Sequence, residues 1–371
     1  MTRIDVTVRG AGAFGLACAW ACVRRGARVR VIDPFGVAAG SSGGVVGALA
    51  PHVPESWNAK KQFQLESLLM AAEWWAEIET KSGLSSGYGR LGRVQPLVDD
   101  RAVELARARE ATAAELWRGH ADWRVVAEGG AFAPVSPTGL FVVDTLSARM
   151  HPRKACLALA GAQRASGGEI VEDGTEEGAV IHATGVAGLD QMSAEAGRMI
   201  GVGVKGQAAL LDYDAGEVPQ VFAGGGHIVP HADGTVAIGS TSEREYDDAT
   251  STDKRLEEVI AAARAAVPAL AQAPVIQRWA GVRPRSRSRA PMLGAWPGRP
   301  GHYIANGGFK IGFGMAPKVA EVMAGGLLRD QSEVNAPAVI SYALLLVPFQ
   351  LAVVCKRVNQ PALSVAEVSP S

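Results

Sequence analysis

Apolar and polar positions fall into a clear succession of elements along this chain. An apolar run at 4–8 enters Gly10-Ala11-Gly12-Ala13-Phe14-Gly15. A helix-compatible segment at 16–25 stops at Gly26, and a second apolar run at 29–32 ends in Asp33. This order predicts strand, glycine turn, helix, strand and a terminal acid. Helical periodicity over 62–80 carries Trp74 and Trp75, which read as core. Residues 88–100 read as turn and strand, and 101–118 as a charged surface helix. Short strands follow between 123 and 150, the clearest at 141–144. A helix over 152–165 stops at Gly167-Gly168, and AVIHATG at 179–185 closes a small α/β segment. From 201 to 241 short apolar runs alternate with turns, which predicts an antiparallel sheet. An amphipathic helix over 253–267 and a last helix over 318–328 complete the pattern.

The opening stretch carries recognisable chemistry. Strand, G-x-G-x-x-G, helix, strand and acid form the dinucleotide-binding βαβ fingerprint. Gly10 permits the tight turn, Gly12 admits a pyrophosphate to the backbone, and Gly15 lets helix and strand pack closely. Ala13 and Phe14 lie on the same turn, where free amides and the helix dipole favour phosphate. Asp33 can accept hydrogen bonds from ribose hydroxyls. Arg9 is out of pattern, because such strands usually carry a small or apolar residue there. In the small-residue loop that follows, the amides and hydroxyls of Ser41 and Ser42 can wrap further phosphate oxygens. A flexible linker would share that composition, but the loop's position and the apolar residues from Val45 to Leu49 argue against one.

Composition narrows the classes. With 371 residues, two interleaved or serial domains are expected. The 37 basic and 37 acidic residues balance, so no nucleic-acid partner is expected. Cys18, Cys22, Cys156 and Cys355 show no metal spacing, and Cys18 and Cys22 read as packing residues on the first helix. No metal site is expected. No signal peptide is read at the N-terminus, and a reduced, cytoplasmic setting fits. Residues 335–355 carry no charge and are long enough to span a bilayer, but Ser341, Pro348 and Gln350 weigh against an anchor.

Six segments in order, RGAGAFG with Asp33, GSSGGVVGALAP, HATG, VPHADGTVAIGST, WAGVRP and GGFKIGFGMAP, resemble the FAD-dependent D-amino-acid oxidase superfamily. Within it the glycine oxidase and sarcosine oxidase branches are nearest, and the resemblance covers roughly 4–330. It implies an α/β fold in which a Rossmann-type FAD-binding domain interleaves with an antiparallel-sheet (α+β) substrate domain. The expected FAD domain comprises 1–50, 145–205 and 285–335. The substrate domain comprises 51–144 and 206–284, with 336–371 as a tail. The implied reaction oxidises a small amine or amino acid to the imine by hydride transfer to flavin N5, with oxygen or another acceptor taking the electrons. The FAD is expected to be non-covalent, because no cysteine occurs in RPRSRSRAPMLG, where the sarcosine branch attaches it. Arg283 matches the carboxylate-binding arginine of glycine oxidases, and its planar fork suits that group. Lys310 resembles a substrate-contacting lysine of the sarcosine branch. Thr184 and Gly185, with Gly307, Gly308, Lys310, Ile311 and Gly312, fall at expected cofactor contacts. The glycines can bring backbone amides to the flavin's pyrimidine edge. His52 would lie near the flavin, and His227, His231 and Tyr246 are further pocket candidates. No general base is nominated, because the cofactor carries the hard chemistry.

Two departures stand out. Ser288 occupies a place usually acidic in the family, and 168–179 is too short for the usual strand-turn-strand. These motivate a second reading, a flavin-binding paralogue without catalysis. Other readings are a same-fold dehydrogenase feeding a quinone and the tRNA-modifying branch, whose wide basic surface a neutral chain lacks. An NAD-dependent dehydrogenase would leave GGFKIGFGMAP without a role.

Overall fold

The computed structural model describes residues 3–328 of the chain. Two sheets carry the architecture. The first has six strands in the order Met292–Ala295, His302–Asn306, Ala179–His182, Val6–Arg9, Val29–Ile32 and Glu169–Val171. Its pairings are parallel except at the Met292–Ala295 edge. Strands covered on both faces are rich in β-branched apolar residues, which is why 4–8 and 29–32 were legible although Asp5, Thr7 and Arg30 interrupt them. Val6, Val8, Val31 and Ile181 are fully buried.

Helix Ala13–Arg24 buries every residue from Ala13 to Val23. It lies between this sheet and helices Pro152–Ala165 and Gly312–Leu327, so an all-round apolar helix is what the position requires. Cys18, Cys22 and Cys156 are buried thiols there, and burial pushes Cys22 and Cys156 up to about 12. They pack rather than react.

The second sheet has eight strands in the order Val275–Ser286, Gly201–Asp212, Thr235–Gly239, Gly226–Pro230, Gln220–Ala223, Arg93–Pro96, Phe141–Asp144 and Trp123–Val126. All neighbours are antiparallel except Gln220–Ala223 with Arg93–Pro96. The mixed α/β and antiparallel class is therefore as expected. Asn58, Asp99 and Asp253 cap helices Ala59–Ser82, Asp100–Trp117 and Lys254–Ala266 through their side chains. Trp74 and Trp75 are buried on the first of these, in the main core.

Two helix starts differ from the pattern with a visible cause. The first helix starts at Ala13 rather than 16, because Gly12 is its N-cap. The last helix starts at Gly312 rather than 318, although it contains Pro317. Packing on helix Ala59–Ser82 supports it there, and the Ser67 hydroxyl accepts the Lys318 amide at 3.2 Å. The short 168–179 region holds one strand, Glu169–Val171, at the sheet edge. The uncharged 335–355 run lies outside the described residues. Among the described residues no helix is long and apolar enough to cross a membrane.

Candidate functional site

The four central parallel strands end at one edge, and each delivers a glycine turn or polar group there. Gly10 follows Val6–Arg9 at φ +107°, where a side chain would lie 2.5 Å from the Ala183 carbonyl oxygen. A Cβ on Gly15 would fall 1.9 Å from the Gly10 carbonyl oxygen. A Cβ on Gly12 would meet only Ser42, at 3.1 Å from its hydroxyl oxygen. Gly12 is thus dispensable for packing and Gly15 is not.

Asp33 closes the second strand. One carboxylate oxygen accepts the Ala11 amide at 2.7 Å and the other the Phe35 amide at 3.0 Å. Each oxygen keeps lone-pair capacity for a hydroxyl donor. The short edge strand serves this acid, because the Val171 carbonyl accepts the Asp33 amide at 3.0 Å. Arg9 is accounted for by Glu176 from the same short region, 3.6 Å away.

Ser41 and Ser42 form a short turn, Ser41–Gly43, over the start of the first helix. The Ser42 hydroxyl accepts the Ala13 amide at 3.0 Å, leaving its own proton free to donate. The remaining first-turn amides, including those of Phe14 and Gly15, have no intrahelical acceptor. Thr184 and Gly185 start helix Gly185–Ala196. Asn306, which the sequence reading passed over, ties two of these turns together. Its amide donates to the Gly185 carbonyl at 2.8 Å and its oxygen accepts the Gly307 amide at 2.7 Å. The Gly307 amide is therefore engaged within the protein. Gly308 packs over the Phe14 ring, and Phe309–Ile311 is a one-turn helix leading into Gly312. A backbone cradle with an acid at its far side and open space at Gly185 and Gly312 fits an FAD dinucleotide.

The eight-stranded sheet presents one face to this region. Alternation along the strands and the pairing Val204↔Arg283, Ala208↔Gly239 and Gly239↔His227 put Arg283, Gly239 and His227 on it. The Arg283 guanidinium donates to the Ser240 hydroxyl at 2.6 Å and the Thr241 carbonyl at 3.4 Å. It lies across Gly206, where a Cβ would be 1.7 Å from one of its nitrogens. Ser240 and Gly206 were not legible as site residues. Only the pairing of distant strands brings them under Arg283. The residue keeps partial exposure on the open face, yet burial of its guanidinium brings its pKa down to about 10. No carboxylate among the described residues lies within 4 Å of it. Lys310 is exposed, and its pKa is lowered by partial desolvation and then by the charge of Arg283.

The other candidates have partners of their own. His52 is braced against helix Ala59–Ser82, its amide 2.8 Å from the Gln64 side-chain oxygen and its Nδ1 paired with the same atom. None of its hydrogen bonds reaches Arg283, Lys310 or the glycine turns. His231 donates from Nε2 to the Val45 carbonyl at 2.9 Å, pinning the small-residue loop. Tyr246 meets Gly203 and Val282, which alternation puts on the face opposite Arg283. Ser288 lies in the turn after Val275–Ser286, 3.2 Å from Ser286, and its hydroxyl accepts the Ala290 amide at 3.3 Å. The serine thus supplies a turn acceptor where an acid was expected. Among the described residues no cluster of histidine, cysteine or acid could hold a metal.

Burial pulls His182, His227 and His231 down to about 4. An unfolded imidazole protonates near 6.5, so between those values the unfolded chain binds more protons and stability rises with pH. The contribution is complete above about 6.5 and is lost as pH falls toward 4, roughly 3 kcal/mol at most per enclosed ring. Urea midpoints measured at pH 7.5, 6.0 and 4.5 should fall in that order. A flat profile would contradict the neutral buried state of these rings.

The sequence model of the family described as FAD dependent oxidoreductase matches residues 5–325. A Rhizobium etli oxidoreductase assigned to thiamine biosynthesis, ThiO, is 30% identical over 347 residues, 88% of this chain and 98% of that protein. The glycine oxidase of Pseudomonas aeruginosa is 35% identical over 138 residues, covering 37% of this chain and 38% of its own length. The crystal structure of glycine oxidase from Geobacillus kaustophilus superposes with a TM-score of 0.76 at 20% identity, covering 88% of this chain and 95% of that one, which shows a common fold. By its family match and its near full-length similarity to ThiO, the chain belongs to the FAD-dependent oxidoreductase family, in its glycine-oxidase-like part, and is an enzyme whose cofactor is FAD.

Proposed function

We propose that this enzyme oxidises a small amino acid to the corresponding imine, with Arg283 holding the substrate carboxylate. The observation that carries the reading is Arg283 itself. It is a desolvated cation seated on neutral oxygens, with no acid partner within 4 Å among the described residues. Glu243 acts on it only from a distance and is paired with Arg255, so an incoming carboxylate supplies the missing direct partner in the bidentate geometry that guanidinium prefers. The relative named glycine oxidase agrees with an amino-acid substrate.

FAD, when bound, supplies the acceptor for the two electrons of the amine. The cradle of Gly10, Gly12, Ala13, Phe14, Gly15, Asp33, Ser41, Ser42, Thr184 and Gly185 would hold its dinucleotide part. Gly307, Gly308, Lys310, Ile311 and Gly312 would approach the ring end. Residues 1–50, 145–205 and 285–335 would form that part of the enzyme, and 51–144 with 206–284 the substrate part. The absence of cysteine between Arg283 and Trp296 supports non-covalent attachment. No dedicated base is assigned, and the proton of the amine would leave to solvent.

Ammonia release tests the reading. Glycine or a D-amino acid should turn over at least about 100-fold faster than its decarboxylated amine, because the amine leaves Arg283 unpaired. Equal rates with methylamine and glycine would remove Arg283 from the substrate.

A further inference from the structure

We infer that Trp279 sets the upper size of the substrate's Cα substituent and confines the enzyme to glycine and other small amino acids. This deepens the proposed function and rests on its assignment of Arg283. Alternation along strand Val275–Ser286 puts Trp279, Gly281 and Arg283 on one face of the eight-stranded sheet. Across that face Gly281 pairs with Gly206, and Trp279 pairs with Ala208, which in turn pairs with Gly239. The sheet therefore has a floor of glycine and alanine here, and two large side chains from its edge strand lean over that floor.

The indole leans along its own strand, because a Cβ on Gly281 would lie 2.5 Å from the six-membered part of its ring. The Arg283 guanidinium leans across to Gly206, where a Cβ would be 1.7 Å from one of its nitrogens. Directly paired positions hold their Cβ sites about 4.5–5.5 Å apart, so indole and guanidinium stand within about 10 Å of each other. The ring is also fixed from the cofactor side. A Cβ on Gly44, in the loop that follows Ser42, would meet the same ring atoms at 3.3 Å. Trp279 packs there on the apolar patch of Val45, Ala208, Leu210, Val229 and Ala237. Val46 from that loop borders the floor at Gly239, 3.1 Å from where a Cβ would stand. Trp279 is only half-buried, so packing leaves part of the indole free to meet a ligand.

A carboxylate paired with the Arg283 fork brings the substrate Cα over this floor. Hydrogen or methyl on that carbon fits above glycine. A phenyl or long aliphatic group meets an indole that Gly44 and Gly281 hold in place, and overpacking against a fixed wall is costly.

The test uses two non-oxidisable probes on the FAD-loaded enzyme. Acetate is the deaminated form of glycine, and 3-phenylpropionate is that of phenylalanine. Binding is read by calorimetry, and anaerobic flavin reduction by glycine and by D-phenylalanine is timed beside it. The wild type should bind acetate at least about 10-fold tighter than 3-phenylpropionate. Trp279→Ala should shift that ratio at least about 10-fold toward the larger acid, and the reduction rates should shift the same way. Trp279→Phe keeps an aromatic ring against the loop, so it should fold as the wild type does and shift the ratio less, in the same direction. Equal binding of both acids by the wild type would overturn the inference. So would a ratio that stays put in the variants, whether both affinities hold or fall together. Flavin content that drops while the ratio stays put would assign Trp279 to the cofactor instead. Arg283→Met that leaves acetate binding intact would overturn the underlying assignment of Arg283, whatever Trp279 does.

Discussion

Arg283→Met should lower kcat/KM for amino-acid substrates by roughly 100- to 5,000-fold, the effect of about 3–5 kcal/mol for breaking a buried charge pair. Flavin content should not change. The guanidinium contacts Ser240 and Thr241 on the sheet and makes no hydrogen bond to the glycine turns. The same substitution should stabilise the substrate-free protein. Burial already lowers the Arg283 pKa to about 10, so the cation is strained in the absence of a ligand. A structural arginine would behave in the opposite way, because its removal would orphan an acid. Arg283→Lys keeps the charge but not the fork, and should fall between wild type and methionine. Thermal melts and steady-state rates on the same preparations decide this. Parallel loss of flavin and turnover would sink the assignment.

A contrast between two glycines should be equally large. Gly12→Ala should fold normally, since its φ of −89° suits any residue and its Cβ meets only the Ser42 hydroxyl, 3.1 Å away. Yet that methyl would stand where the backbone must approach a pyrophosphate, and FAD affinity should fall by at least about tenfold. Gly15→Ala puts a methyl 1.9 Å from the Gly10 carbonyl oxygen, a backbone atom that cannot step aside. It should cost about 3 kcal/mol or more of stability, the upper end of overpacking, and yield little soluble protein. Flavin-to-protein ratios and urea midpoints separate the two effects. A Gly12→Ala enzyme that purifies fully loaded would deny this turn its phosphate role.

The first βαβ was legible because everything that defines it is local. Strand, turn, helix and acid follow one another within residues 4–33, and the approach that demands Gly15 lies within that span, whereas Gly10 is demanded by the distant Ala183 carbonyl. The antiparallel sheet was legible as an alternation of short runs and turns, but its faces were not. Which side Tyr246 occupies depends on the pairing of Gly201–Asp212 with Val275–Ser286, and no single stretch carries that register. Ser240, Gly206 and Asn306 escaped notice for the same reason, since each matters only through a partner about 40 to 120 residues away. His52 was not assignable from sequence, because a lone histidine beside a glycine-rich loop has the same appearance whether it faces a ligand or a helix. The glycines and proline at 312–317 read as loop by propensity, and packing against Ala59–Ser82 overrode it.

The most direct test is the visible spectrum of the purified, FAD-loaded enzyme, titrated without oxygen. Glycine, sarcosine and D-alanine are each added in turn. The account predicts that the flavin absorbance bleaches with at least one amino acid, and at least about 100-fold more slowly with its decarboxylated amine or in Arg283→Met. Bleaching by the simple amine as readily as by the amino acid would contradict it, because the carboxylate would then contribute nothing to turnover.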